Sequence, residues 1–173
     1  MSRKQVVSIA VTGHRPKDLF GYESYSAYHV NATGHYKLLY DKLYKHMKAA
    51  IVINGAREFI SGMALGVDSI FFDVACTLRE EFKPQGIEIQ VIACIPFVGQ
   101  TNTWNALDVK RYRDRLSRSD TVVVVDKLPG YEAVQLTERI GKGGTAHCIG
   151  YAEKKGLPVF RINPAELIKK AVK

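Results

Sequence analysis

Phe59-Ile60-Ser61-Gly62-Met63-Ala64-Leu65-Gly66-Val67-Asp68 is the stretch on which the fold turns: two apolar residues, a run of small residues, and the start of a long amphipathic pattern. Val67, Ile70, Phe71, Val74, Ala75, Leu78 and Phe82 mark a single face at helical spacing. A small-residue turn from a strand into a helix N-terminus lets backbone N–H groups approach an anion, and the helix dipole adds favourable potential there. The stretch therefore reads as strand, candidate phosphate cradle and helix. Glu58 to Gly62 is too short to establish a strand alone, so that assignment leans on the helix that follows.

Upstream, Val6 to Val11 is an apolar run rich in β-branched residues that stops at Thr12-Gly13-His14-Arg15-Pro16, as a first strand and its loop would. From Tyr36, the positions Leu39, Tyr40, Leu43, Met47, Ala50 and Ile51 predict a long helix, with Lys37, Lys42, Lys45 and Lys48 mostly off its apolar stripe. The segment from about 17 to 34 exceeds the usual strand-to-helix connection and reads as a loop. Its aromatic residues either close over a ligand or cover the sheet edge as ordinary packing, and packing is the simpler account.

Downstream, Pro84 and Gly86 precede a strand at Ile87 to Ile95, which ends at Pro96. Residues 101 to 118 contain a helix, with Leu107 and Tyr112 to Leu116 inward and Lys110, Arg111, Arg113, Arg115 and Arg118 mostly outward. Thr121 to Asp126 is a nearly continuous β-branched run, the signature of a parallel strand covered on both faces. A helix-compatible stretch to Ile140, the loop Gly141-Lys142-Gly143-Gly144-Thr145, another helix and a last strand at Pro158 to Ile162 complete the chain. Strands separated by helices imply right-handed crossovers and a mostly parallel sheet. The expected architecture is a Rossmann-like α/β three-layer sandwich, a single domain over residues 1–173, with ligands at the carboxyl ends of the strands. The GxGxxG dinucleotide fingerprint is absent after the first strand.

The formal charge is +8, from 25 basic and 17 acidic residues, which favours anionic partners such as nucleotides, nucleic acid or phosphorylated metabolites. No apolar run is long enough for a membrane helix, and the N-terminal residues show no signal-peptide cleavage site. A cytoplasmic protein with no membrane partner is the expectation. Cys76, Cys94 and Cys148 are odd in number, widely spaced and set in apolar context, so buried reduced thiols are favoured over disulfides or metal ligands.

Three loops, Thr12 to Pro16, Ser61 to Asp68 and Gly141 to Thr145, follow or approach predicted strand ends and are expected to converge. Thr12 and Ser61 offer hydroxyls, the glycines expose backbone donors, and Arg15 is suited to bidentate phosphate contacts. Asp68 either caps its helix or accepts ribose hydroxyl hydrogen bonds. His14 lacks a nucleophile or metal-ligand partner at a telling spacing and reads as a hydrogen-bonding loop residue. Trp104 stacks on a base or packs, with nothing to separate the two. His29, His35, His46 and His147 show no zinc pattern.

VTGHRP at 11–16 and SGMALGVD at 61–68 resemble the YpsA-like branch of the SMF/DprA–LOG (SLOG) superfamily. The likeness continues through Pro96-Phe97, Trp104, Arg111-Tyr112-Arg113, Thr137-Glu138-Arg139, Gly143-Gly144-Thr145 and Tyr151-Ala152, nearly the whole chain. It implies a Rossmann-like domain that binds a nucleotide-derived or ADP-ribose-like ligand, with no cofactor required. Ligand contacts are then expected at Thr12, Gly13, His14, Arg15, Ser61, Gly62, Gly66, Asp68, Trp104, Gly143, Gly144 and Thr145. The resemblance leaves room for a homo-oligomer. One departure is that only Ile140-Gly141-Lys142 stands where the family carries a helix-to-strand passage, so the sheet is expected to have one strand fewer.

Two further readings follow from the same resemblance. LOG-type phosphoribohydrolases place a Glu three residues after the Gly-Thr pair, where this chain has Cys148. N-glycoside cleavage is thereby disfavoured, with Asp68, Asp126 and Glu138 the remaining carboxylates able to stabilise oxocarbenium character. DprA-type members bind single-stranded DNA, and the five basic residues between Lys110 and Arg118 would serve that, although a solvated helix face explains them more simply.

Overall fold

The computed structural model describes residues 7–31, 34–126, 150 and 152–170. Within them the order is β1 (Val7–Ala10), a 3-10 turn (Pro16–Asp18), α1 (Tyr22–Asn31), α2 (Gly34–Asn54), β2 (Ala56–Ser61), α3 (Val67–Phe82), a second 3-10 turn (Lys83–Gln85), β3 (Gln90–Phe97), α4 (Ala106–Arg118), β4 (Thr121–Asp126) and α5 (Pro164–Lys170). The four strands form one sheet in the order β1-β2-β3-β4, and every pair is parallel. The α/β, Rossmann-like expectation is met.

The core lies between the sheet and the helices that connect its strands. Phe59, Val91 and Ala93 point from β2 and β3 onto Ile70, Phe71, Phe72, Val74 and Leu78 of α3, all buried. Burying each large apolar side chain contributes roughly 1.5–3 kcal/mol, so α3 is fixed chiefly by this face. Leu39, Leu43, Met47 and Ile51 of α2 form the adjoining stripe. Polar contacts register α2 on α3: Tyr40 to Thr77 at 2.7 Å, and Lys48 to Glu81 at 2.6 Å, with the Tyr44 hydroxyl also donating to Glu81.

Several sequence expectations are corrected. Residues 17–34 are not a loop; α1 occupies most of them, and Tyr25 and Tyr28 are buried against Tyr36 of α2. Their rings pack, as the simpler account of these aromatics held, and they supply the apolar face that the weak helical pattern of this segment hides. The third strand starts later, at Gln90, and runs through Pro96 to Phe97. On α4, Leu107 is exposed, whereas Arg115 is buried and ion-paired to Asp73 at 2.8 Å. Hydropathy alone cannot anticipate a cation that enters the core with its counter-ion.

At the far edge, no described strand pairs beyond β4, and Val122, Val123 and Val125 are exposed. Pro158 to Ile162 is not a strand: residues 157–163 carry no regular structure. Pro158 has no N–H for a ladder, Phe160 stacks on His46 of α2 with ring centres 4.1 Å apart, and Ile162 packs against the core. Gly141 to Thr145, Cys148 and the segment on which the missing-strand expectation depends lie outside the described residues.

Candidate functional site

The carboxyl ends of β1 and β2 lie side by side because the strands are parallel neighbours, and the Val11 N–H continues the pairing by donating to the Ile60 carbonyl at 3.3 Å. The loops that leave them, residues 12–16 and 61–66, interlock. A β-carbon at Gly13 would lie 2.4 Å from Val67 Cβ, and one at Gly66 would lie 2.5 Å from the His14 carbonyl oxygen. Gly66 also has φ +98°, a conformation that side chains rarely adopt. The Val67 N–H donates to the His14 carbonyl at 3.4 Å, tying the start of α3 to the first loop. Two of the glycines are thus required by close approach of one loop to the other.

Inside the 61–66 turn, polar groups satisfy one another. Buried Ser61 donates its hydroxyl to the Asp68 carbonyl at 2.8 Å and accepts the Met63 N–H at 3.1 Å. Met63 sits at φ 61°, the only described non-glycine residue with positive φ, and its side chain is buried. A non-glycine residue held there costs on the order of 1 kcal/mol, which the packing around Met63 sustains. Ser69 donates to the Gly66 carbonyl at 2.9 Å, and its hydroxyl lies 2.6 Å from that of Tyr25, so α1 braces the first turn of α3.

Asp68 is the unusual group. It lies in the first turn of α3, is only 9% exposed, and its Oδ2 would sit 2.8 Å from a β-carbon on Gly62. Burial pushes its carboxyl up to about 7, although the backbone N–H of Ala64, the Arg15 guanidinium and its own N–H pull the other way. Arg15 is exposed and has no ion-pair partner among the described residues. The N–H groups of Gly13 and His14 likewise find no acceptor there.

A third strand end joins the site through a residue that sequence reasoning missed. Gln100, in the loop between β3 and α4, is 9% exposed and donates its side-chain amide to the Gly62 carbonyl at 2.9 Å. Its Oε1 is buried without a partner among the described residues. A glutamine in a polar loop gives no periodic signal; only its place three residues after the Pro96-Phe97 strand end could have raised it. Trp104 belongs to the same loop, half-buried and edge-on to Tyr112 with ring centres 5.5 Å apart.

Thr12, Gly13, His14, Arg15, Ser61, Gly62, Gly66 and Asp68 are therefore brought together, with Trp104 on the neighbouring loop, while Gly143, Gly144 and Thr145 fall outside the described residues. The basic run on α4 does not present a continuous track. Arg115 and Arg118 both bind Asp73 at 2.8 Å, Arg111 lies 3.7 Å from Asp108, and only Lys110 and Arg113 lack a described ion-pair partner. His29 packs beside Arg115, and burial followed by the Arg115 and Arg111 charges lowers it to about 4, so it stays neutral near pH 7. Among the described residues no group of His, Cys, Asp and Glu is placed to hold a metal ion, and no helix is long and apolar enough to cross a membrane. Cys76 is buried and Cys94 half-buried, both as free thiols.

A family model described as the YspA SLOG family matches residues 9–141, well over half of the 173-residue chain. The matched region contains both interlocked loops and Gln100. No curated protein matches the chain.

Proposed function

The chain belongs to the YspA SLOG family, and from that premise we propose that it binds a nucleotide or ADP-ribose-like ligand at the paired loops 12–16 and 61–66. What carries the reading is the exposed Arg15 guanidinium on the same loop as the N–H groups of Gly13 and His14, which have no acceptor among the described residues, at the strand end that faces the start of α3. Cation, backbone donors and helix dipole together favour a phosphate or pyrophosphate. Ser61 holds the turn in shape rather than touches the ligand, since its hydroxyl is already donated to the Asp68 carbonyl.

Sensing or sequestration is proposed over turnover. A buried carboxyl near neutrality is a poor stabiliser of oxocarbenium charge, which needs a full anion, so Asp68 does not replace the Glu expected of a LOG-type hydrolase. The net charge of +8 suits an anionic ligand. Nucleic acid is the less favoured partner, because the cations of α4 are largely engaged with carboxylates.

Amide chemical shifts test this directly. Adding nucleoside monophosphates, cyclic nucleotides and ADP-ribose in turn to isotope-labelled protein should move Gly13, His14 and Arg15 for at least one of them. If none shifts these amides, or if shifts cluster elsewhere on the surface, the reading is wrong.

A further inference from the structure

We propose that Asp68 is the proton partner of this site: an anion seated on the paired loops holds the Asp68 carboxyl in its neutral form, so that binding draws a proton from solution. The inference rests on the anion-binding reading above and adds a regulation to it. The geometric ground is that Asp68 already acts as an internal anion at the start of α3, 9% exposed, packed against Gly62, with the N–H groups of Ala64 and Asp68 directed at its carboxylate. A ligand phosphate on the Gly13 and His14 N–H groups would lie near that carboxylate, because Gly13 is pressed against Val67, the residue before Asp68. Two like charges so placed favour protonation of the one that titrates.

Among the described residues few other charges bear on Asp68. From the 12–16 loop the charged or titratable groups are Arg15 and His14, whose carbonyl accepts the Val67 N–H. The 61–66 turn carries none, and the β3–α4 loop contributes the neutral amide of Gln100 through Gly62. From α1, the Tyr25 hydroxyl reaches only Ser69. The next carboxylate on α3, Asp73, is neutralised by Arg115 and Arg118. When Arg15 turns to a ligand phosphate it withdraws the one nearby cation among the described residues that favours ionised Asp68, which adds to the effect. The proton comes from buffer, and the neutral carboxyl gains an O–H that can donate to a phosphate oxygen. The position of the Asp68 equilibrium near neutrality places this exchange in an accessible pH range.

Two measurements decide it. A carbon-detected NMR titration of ligand-free protein should show the Asp68 carboxyl titrating near neutral pH; a midpoint below about 5, close to the ordinary Asp value, overturns the proposal. Calorimetry with ADP-ribose, whose diphosphate does not titrate between pH 6 and 8, is then run in PIPES and in Tris. Uptake of a fraction of a proton at pH 7 is expected, with affinity about fivefold weaker at pH 8 than at pH 6 if the ligand raises the carboxyl by about one unit. Asp68→Asn should bind with neither dependence. Binding with buffer-independent enthalpy in the wild type overturns the coupling and leaves the site standing. Equal proton uptake in wild type and Asp68→Asn also overturns it. No binding of ADP-ribose by either protein overturns the coupling together with the ligand on which it rests.

Discussion

Gly13 lies so close to Val67 that any β-carbon at position 13 would overlap the Val67 side chain, at 2.4 Å from its Cβ and 2.5 and 2.7 Å from its two methyl groups. The backbone of the first loop is thereby pressed against the first residue of α3. Gly13→Ala should force α3 or the loop to shift, at a cost of about 1–3 kcal/mol. For a chain of this size that lowers the melting temperature by roughly 2–4 °C per kcal/mol. A melting curve unchanged from wild type would mean that the two loops are not in contact.

The packing of these loops was legible in part. Gly13, Gly62 and Gly66 stand out in the sequence as a strand-turn-helix punctuation, and the parallel sheet followed from alternating strand and helix patterns. What spacing could not tell was which way each glycine faces, because a ligand and a neighbouring backbone make the same demand for a missing side chain. Tyr25 and Tyr28 were readable as aromatic but not as helical, since α1 is polar on much of its length and its packing partner Tyr36 lies on another element. Arg115 and Gln100 were unreadable for a common reason: each is buried only because a specific distant group, Asp73 or the Gly62 carbonyl, meets it there.

The ion pair of Asp73 with Arg115 stabilises the α3–α4 contact. Arg115 is bound through Nε at 3.1 Å and Nη2 at 2.8 Å, with its side chain 5% exposed. Asp73→Ala strands a buried guanidinium and should cost about 3–5 kcal/mol in urea unfolding. Asp41→Ala removes an exposed i,i+4 partner of Lys37 and should cost no more than about 0.5 kcal/mol. Similar losses at the two positions would contradict the burial assigned to Arg115.

Asp68 sets a pH dependence of stability. Its carboxyl is raised in the folded state to about 7 from 3.8, so its favourable contribution is complete below pH 4 and is lost as pH rises through 7. The full span is on the order of 4 kcal/mol. Asp68→Asn should therefore gain stability relative to wild type between pH 5 and pH 8, read as the difference of their urea midpoints at each pH. A difference that stays constant over that range would show that Asp68 is ionised throughout.

Tyr25 braces the first turn of α3 through the 2.6 Å contact with Ser69. Tyr25→Phe keeps the buried ring and removes the hydroxyl, with an expected loss of about 1 kcal/mol. Amide exchange should rise at Ser69 and Ile70 more than in the middle of α3. Uniform exchange along the helix would indicate that α1 does not anchor its start.

The central claim is that an anionic nucleotide-derived ligand sits on the 12–16 and 61–66 loops with Arg15 on its phosphate. The most direct measurement is isothermal titration of ADP-ribose into wild-type protein and Arg15→Ala, an exposed position where the substitution should leave the fold intact. Loss of a charge-assisted phosphate contact predicts affinity weakened about tenfold to hundredfold, with the melting temperature unchanged. Equal affinity in the two proteins would contradict the account.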